Sequence, residues 1–251
     1  MREAGRVASN TLLGVGQIIR AGISTGDLDR FVYCDTINRG GIPAPLGYNG
    51  FPNSICTSRN NVVCHGIPND QEILENGDII NVDITSIYNG YHGDTSATFY
   101  VGTPCIEAKH VVEIARRALD LGINQAKIGA QMGDIGYAIQ EFTRSQGCTV
   151  IERFDGHGIG ESFHELPWVK HYGEKGTGLI LEEGMTFTIE PVIILGDQAV
   201  ELLDEKWTMI SQDGSLSAQF EHTIAITPDG PEILTQRMQP LRNSEIYAMN
   251  W

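Results

Sequence analysis

Two aspartates, Asp83 and Asp94, lie in a stretch that reads as two strands joined by an Asn89-Gly90 turn. Asp83 interrupts an apolar run from residue 79 to 87, and Asp94 lies near the start of the returning strand. A carboxylate in a half-buried strand needs a hydrogen-bond donor, a counter-charge or a metal ion. Two carboxylates on facing strands would repel each other unless a cation lay between them. For either aspartate alone, backbone N–H groups at a turn would be the simpler partners.

An internal repeat adds two more acidic residues to this pair. Residues 22–28 match residues 129–135, and residues 73–77 match residues 180–184, both at an offset of 107 (129 − 22 and 180 − 73). That offset carries Asp83 onto Glu190. Asp94 aligns with Glu221 at an offset of 127 (221 − 94), and an Asp213-Gly214 turn suggests an added hairpin in the extra residues. The repeated unit is two helices followed by antiparallel strands, which predicts an α+β fold rather than a βαβ fold.

Two halves related by a pseudo-twofold axis would bring their equivalent hairpins together. A single cleft would then hold the carboxylates of Asp83, Asp94, Glu190 and Glu221. His157, between glycines in residues 155–160, is a fifth candidate ligand, although histidines in loops often have no functional role. One imidazole with four carboxylates favours Mn(II), Fe(II), Co(II) or Zn(II). So many carboxylates can bridge two ions roughly 3.5–4 Å apart, a pattern that activates water for hydrolysis.

The remaining histidines are less informative. His65 and His164 lie near glycine or proline and could position a substrate or stabilise an oxyanion, or could equally be surface residues. No function is predicted for His92, His110, His171 or His222.

Composition restricts the class of protein. The chain has 251 residues, 41% of them hydrophobic, and a net charge of −15, which argues against a broad basic face for nucleic acid or anionic membranes. Its five cysteines are scattered and odd in number, as expected for reduced thiols of an intracellular protein. No apolar stretch is long enough for a membrane span and no signal peptide is evident, so the cytoplasm is the default prediction.

Seven short motifs together resemble those of the methionine aminopeptidases, the "pita-bread" metallopeptidases. They are Cys64-His65-Gly66-Ile67-Pro68, Asn81-Val82-Asp83, Gly93-Asp94-Thr95-Ser96, Gly156-His157-Gly158-Ile159-Gly160, Phe163-His164-Glu165, Thr188-Ile189-Glu190-Pro191 and Gln219-Phe220-Glu221-His222-Thr223. The resemblance runs from residue 1 to about residue 235. It implies a curved antiparallel sheet covered by helices. We expect one catalytic domain over residues 1–251, with halves at about 1–105 and 106–235 and a tail at 236–251.

The resemblance also implies roles for the metal ligands. Asp83 would chelate one of two divalent ions (Mn, Co, Fe or Zn), Asp94 and Glu221 would bridge both, and His157 and Glu190 would complete the second site. The bridging water would attack the first peptide bond, with Glu190 as the proton carrier. The free N-terminal amine of the substrate would bind a metal, which explains the removal of a single residue.

The same resemblance assigns residues to the substrate. His164 would stabilise the oxyanion, and His65 would contact the scissile amide and assist the leaving amine. The methionine pocket would be formed by Tyr48, Phe51, Cys56, Phe163 and Trp207. For each of these five, ordinary core packing is the alternative interpretation. Pro45 departs from the family, in which many bacterial members have cysteine.

The implied activity is removal of the initiator methionine from nascent chains with a small second residue. Only 26 residues separate His164 from Glu190 (190 − 164), so the long insertion of type 2 enzymes is absent and type 1 is expected. An X-Pro peptidase is the alternative enzyme, but it would carry a further N-terminal domain. A metal-free binding protein on the same scaffold would have lost ligands. The family suggests a monomer. The sequence leaves open whether the protein contacts the ribosome transiently. Ribosomal RNA would repel so acidic a surface, except where local patches differ in charge.

Overall fold

Helices and antiparallel strands alternate along residues 1–237, the part of the chain that the computed structural model describes. The helices are α1 (Arg2–Ile18), α2 (Thr25–Asn38), α3 (Ile106–Gln125) and α4 (Met132–Ser145), with one 3-10 turn at Tyr48–Gly50. The first half contributes β1 (Ile42–Pro43), β2 (Cys56–Arg59), β3 (Val62–Cys64), β4 (Ile79–Tyr88) and β5 (Tyr91–Tyr100). The second half contributes β6 (Thr149–Val150), β7 (Gly156–Gly158), β8 (Glu165–Val169), β9 (Thr186–Ile189), β10 (Val192–Ile194), β11 (Val200–Leu202), β12 (Met209–Ser211), β13 (Ser217–Gln219), β14 (His222–Thr227) and β15 (Gly230–Ile233).

The sheets are antiparallel, which confirms the predicted α+β class. In the first half β4 lies between β1 and β2 and also pairs with β5. In the second half the largest sheet has the order β15-β14-β9-β7-β8. Two smaller sheets, β13-β10-β6 and β11-β12-β3, complete the arrangement. Among the described residues, none of the helices has the length and apolar character that a bilayer span requires.

The predicted central hairpin is confirmed as β4 and β5. Their register runs from Ile79 opposite Tyr100 to Tyr88 opposite Tyr91. Asn89 and Gly90 form the turn with φ angles of +50° and +81°. Positive φ at both positions is typical of a type I′ turn, whose twist matches that of paired strands.

The offset of 107 residues recurs in the backbone. Isolated bridges join Ser24 to Ile73 and Gln131 to Ile180. The N–H groups of Ser24 and Gln131 donate to Asp27 and Asp134, respectively, at the starts of α2 and α4. One hydrophobic core contains residues of both halves. The single-domain assignment stays a prediction, and the predicted tail lies outside the described residues from position 238 onward.

The insertion in the second half contains a hairpin, but its turn was wrongly predicted. β11 pairs with β12, and the Leu203 N–H closes the turn by donating to the Thr208 carbonyl at 2.9 Å. Asp213-Gly214 forms a later turn that leads from β12 to β13, which belongs to another sheet. The dipeptide indicates a local turn correctly, since Gly214 has φ +74°. It cannot indicate which strands pair, because β12 is also held by the distant β3.

Helix α1 lies directly on the central hairpin beside Asp94. It packs against β4 and β5, and its residues Ala4, Ala8 and Leu12 are fully buried. At Gly93 the approach is so close that a Cβ atom would lie 2.5 Å from backbone atoms of Ala4 and Gly5. Backbone atoms cannot rotate away as side chains can, so this position requires glycine.

Gly93→Ala is therefore expected to lower the free energy of unfolding by about 1–3 kcal/mol or more, as overpacked core positions do. Urea unfolding of the metal-free protein measures this change. Gly160→Ala is the control, because its added Cβ would meet only the end of the Glu165 side chain, at 3.1 Å. If Gly93→Ala and Gly160→Ala unfolded at the same midpoint urea concentration, the close contact between α1 and β5 would be contradicted.

Candidate metal centre

One cavity of about 240 Å³ brings together all the residues that the sequence singled out. It is lined by Tyr48, Phe51, Cys56, His65, Asp83, Asp94, His157, Phe163, His164, Glu190, Trp207 and Glu221. Pro45, where the sequence departs from the family, also lines the cavity. Sequence reasoning gave no role to the other lining residues, which are Cys64, Thr85, Phe154, Asp155, Val192 and Gln219. Two halves of the chain that are distant in sequence therefore contribute to the same space.

The acidic floor of the cavity comes from both hairpins. Asp83 is on β4 and Asp94 on β5, while Glu190 follows β9 and Glu221 precedes β14. Reciprocal bonds hold the halves together here. The Asp94 N–H donates to Thr223 Oγ1 at 3.0 Å, and that hydroxyl donates to the Asp94 carbonyl at 2.8 Å. Backbone and hydroxyl groups of the two halves thus fix the distance between the two pairs of carboxylates.

His157 completes a compact group of ligand atoms. One atom each from Asp94, His157 and Glu221 lies within 4.8 Å of the others, and all three residues are buried. His157 Nδ1 bonds the Gly158 carbonyl at 3.0 Å, so Nε2 faces Asp94 Oδ2 at 3.7 Å and Glu190 Oε1 at 3.6 Å. Burial acts to lower the pKa of His157, but Asp94 and Glu190 outweigh it and raise the pKa to about 9.

The four carboxylates need more positive charge than the single imidazole of His157 supplies. Burial, followed by neighbouring carboxylates, raises the pKa values of Asp83 and Glu221 well above normal. Burial also raises the pKa of Glu190 to about 7, against the opposing charge of His157. Asp83 Oδ1 and Glu221 Oε1 are buried and find no hydrogen-bond partner within residues 1–237. Neither lysine nor arginine is among the residues found to line the cavity. This oxygen-rich set fits divalent cations.

Neutral groups that the sequence did not reveal orient the ligands. Thr85 Oγ1 donates to Asp94 Oδ1 at 2.7 Å. Thr188 Oγ1 donates to Glu190 Oε1 at 2.7 Å, and Gln219 Nε2 lies 3.3 Å from Oε2. The register of the hairpin could have identified Thr85, because a turn at residues 89 and 90 sets residue 85 opposite residue 94.

His171 supports the same region from the core. The backbone N–H of Glu190 donates to its Nε2 at 3.0 Å. Burial lowers the pKa of His171 to about 3, so the ring stays neutral and accepts this bond. Nothing in the spacing of the sequence distinguished this histidine from the other unassigned ones.

One wall of the cavity is a stack of rings. Tyr48 and Phe163 lie 4.8 Å apart, and Phe163 and His164 4.1 Å apart, between ring centroids. His92, which had no predicted role, stacks on Phe163 at 5.6 Å and supports it from behind. His164 Nδ1 lies 2.9 Å from the Tyr48 hydroxyl. Desolvation, followed by the charge on His157, lowers the pKa of His164 to about 4.

The opposite wall contains Phe51, Trp207, His65 and Phe154. Phe51 and Trp207 meet edge to face at 5.1 Å between ring centroids. His65 lies 5.8 Å from Phe154 and 6.4 Å from Trp207. His65 has φ +55°, a left-handed conformation that is uncommon outside glycine and is concentrated at functional sites.

Cys56 lies beside the acidic floor and is unoxidised. It is opposite Asp83 in the register of β2 and β4. Burial, followed by the charge on Asp83, raises the pKa of its thiol well above normal. All five cysteines are free, as the scattered spacing predicted. A protonated thiol adds polarizable surface to the cavity without another negative charge.

Comparison with known proteins identifies this arrangement. The family model for metallopeptidase family M24 matches residues 1–228. The chain belongs to metallopeptidase family M24. Methionine aminopeptidase A of Synechocystis sp. is 52% identical over 235 residues, which cover 94% of this chain and 93% of that relative. The methionine aminopeptidase of Escherichia coli strain K12 is 45% identical over 94% of this chain and 90% of its own length.

Solved M24 structures have the same fold. The crystal structure of the Rickettsia prowazekii methionine aminopeptidase has a TM-score of 0.93 at 46% identity, covering 94% of this chain and 95% of that one. A prolidase from Pyrococcus furiosus has a TM-score of 0.75 at 22% identity, over 95% of this chain and 63% of its own. At this identity, the similarity to the prolidase shows only that the two chains share a fold. The predicted pita-bread fold is thereby confirmed.

Proposed function

We propose that this chain is an aminopeptidase that removes N-terminal methionine from newly made polypeptides, with a preference for a small second residue. The observation that carries the proposal is the buried group of Asp94, His157 and Glu221 at the floor of an aromatic cavity. Relatives of 45–52% identity that bear the name methionine aminopeptidase support the choice of substrate. The predicted cytoplasmic location, monomeric state and transient ribosome contact remain predictions that accompany this proposal.

Two divalent ions, from the set Mn, Co, Fe and Zn, would be held by Asp83, Asp94, His157, Glu190 and Glu221. Buried carboxylate oxygens without hydrogen-bond partners and one inward-facing imidazole support this ligand set. When bound, such ions lower the pKa of a water molecule and polarise a peptide carbonyl.

Glu190 would transfer the proton, and His164 would stabilise the oxyanion. Thr188 and the Gln219 amide contact the two Glu190 oxygens, so the carboxylate is held in one orientation as it takes a proton from water and delivers it to the leaving amine. His164 is neutral at pH 7, and its Nδ1 would accept from the Tyr48 hydroxyl, which lies 2.9 Å away. Its Nε2–H is then free to donate to the oxyanion. His65 would contact the scissile amide from the opposite wall.

The side chain of methionine would enter between the two aromatic walls. The pocket residues are Tyr48, Phe51, Cys56, Phe163 and Trp207. A thioether makes favourable contacts with ring edges and adapts its shape to irregular spaces. Pro45 also lines the cavity, where its ring adds apolar surface and no hydrogen-bond donor.

His164→Ala is expected to lower kcat by about 100- to 1000-fold, the usual loss for one oxyanion donor. Metal content should not change, because His164 is outside the ligand set. Steady-state kinetics on a methionyl peptide and elemental analysis measure the two quantities. Tyr48→Phe is the matched control, since it keeps the ring and removes only the hydroxyl, and a smaller loss is expected. Loss of metal from His164→Ala would show that this residue is instead a ligand.

A peptide assay tests the proposed function as a whole. Met-Ala-Ser and Ala-Pro-Ser are incubated with protein reconstituted separately with Mn(II), Co(II), Fe(II) or Zn(II), with and without a chelator. Release of free methionine from the first peptide, abolished by the chelator, is expected. Cleavage of Ala-Pro-Ser with the methionyl peptide left intact would instead favour an X-Pro peptidase. The fold alone does not separate the two activities, because the prolidase from Pyrococcus furiosus has the same fold as this chain.

A further inference from the structure

An exposed apolar pair lies on the edge strand that follows His164. Strand β8 is the last strand of its sheet, and its outer edge has no strand partner within residues 1–237. Leu166 and Trp168 on this strand are 76% and 52% exposed, whereas the next residue, Val169, is fully buried. An exposed edge strand with large apolar side chains promotes unwanted association, so it calls for an explanation.

Trp168 faces the same side of the sheet as the metal centre, and Leu166 lies next to Gly158. Trp168 is the cross-strand partner of His157 in the pairing of β7 and β8. Side chains of directly opposed residues project from the same face of a sheet. Leu166 lies at the register shift between His157 and Gly158, and its carbonyl oxygen comes so close to Gly158 that a Cβ there would lie 2.2 Å from it. His157 turns its Nε2 toward the carboxylates. Neither Leu166 nor Trp168 is among the residues that line the cavity, so both lie outside it.

The cavity is too small to enclose a polypeptide substrate, and the surface next to His157 is therefore available to the rest of it. The cavity volume of about 240 Å³ is below the range of about 300–1000 Å³ for pockets that enclose drug-sized ligands. It can hold a methionine side chain and the reacting peptide bond. Under the proposed function only the first peptide bond is cleaved, so the rest of the polypeptide lies outside the cavity.

We propose that Leu166 and Trp168, here called the apolar rim, bind the third and fourth residues of the substrate and select apolar side chains there. This inference rests on the proposed function and extends it to residues beyond the cleaved bond. The free edge of β8 adds main-chain hydrogen bonds to the passing chain, as in other complexes where a peptide joins a sheet edge. Pro167 lacks an N–H, so the side chains on either side of it provide the selectivity.

The test compares Met-Ala-Leu-Leu-Gly-Lys with Met-Ala-Ser-Ser-Gly-Lys. We expect kcat/KM to be about 10-fold higher for the apolar peptide, the effect of partly burying large apolar side chains. In the double variant Leu166→Ser and Trp168→Ser the ratio should fall to about 1, because kcat/KM for the apolar peptide falls. The conservative Trp168→Phe should keep the preference. Ile106→Ser is the matched control, since Ile106 is 82% exposed at the start of α3, outside the cavity lining.

Binding gives a readout that does not depend on cleavage. Fluorescence anisotropy of the two hexapeptides, labelled on their lysine, is measured with metal-free protein and with the double variant. If the apolar peptide binds more tightly than the polar one, and this difference disappears in the double variant, the apolar rim is supported. If the same protein releases no methionine, the proposed function fails while the apolar rim stands. Equal binding of both peptides, or a preference that survives in the double variant, overturns the proposal. A dimer that dissociates on double substitution would show that a second copy of the chain is the occupant.

Discussion

Asp94→Asn is expected to abolish metal binding and nearly all turnover while the fold survives. Asp94 Oδ1 accepts from Thr85, and Oδ2 faces His157 at 3.7 Å. The amide can keep the first contact, but it loses the charge and presents an N–H₂ group to the cation. Loss of the partners that merely orient ligands costs roughly 10–100-fold in metal affinity, so loss of a ligand should exceed about 100-fold.

Metal stoichiometry after dialysis and kcat/KM on Met-Ala-Ser measure this effect. The metal-free variant should unfold at a temperature close to that of the metal-free wild type, because it loses repulsion from Asp83 and Glu221 together with attraction to His157. Asp229→Asn, at the exposed turn between β14 and β15, is the matched control and should match the wild type. Full activity of Asp94→Asn would remove this residue from the mechanism.

Glu190→Gln is expected to reduce kcat by about 100- to 10,000-fold, the contribution of a positioned general base. Glutamine preserves the length of the side chain and can still accept from Thr188 Oγ1. It cannot take up a proton, and its N–H₂ group would confront the Gln219 amide, which contacts Oε2 at 3.3 Å.

Kinetics and metal content distinguish the two roles proposed for Glu190. A loss of kcat with most of the metal retained identifies proton transfer as its main contribution, whereas parallel losses identify ligation. Glu182→Gln, which changes an exposed carboxylate preceding β9, is the control. Wild-type kcat in Glu190→Gln would exclude both roles.

Charge and repetition in the sequence were sufficient to indicate the acidic residues of the site. Asp83 was conspicuous because a carboxylate in an apolar strand needs a partner, and the offset of 107 then pointed to Glu190. The Asn89-Gly90 turn fixed the register of the central hairpin, since its positive φ angles suit few other residues. The pocket residues were named from a resemblance, and the cavity contains all of them.

Other parts of the site had no distinctive signal. Gln219 and His171 are ordinary residue types whose importance comes from contacts with Glu190 across 29 and 19 positions of sequence. Asp213-Gly214 was assigned to the wrong hairpin because a dipeptide specifies a local turn but not a distant strand partner. Phe154 lines the cavity beside His65, a residue 89 positions earlier in the sequence (154 − 65), and no local pattern encodes such a tertiary contact.

The reciprocal bonds between Asp94 and Thr223 have a consequence for biogenesis. A chain still under synthesis keeps at most four of the five proposed ligands until residue 221 has been added, and it lacks the strand that braces Asp94. Each half by itself would therefore hold its acidic groups without the geometry to retain a cation. Loading of the complete site with metal therefore follows synthesis and folding through Thr223, so a nascent chain that has not reached this residue is inactive.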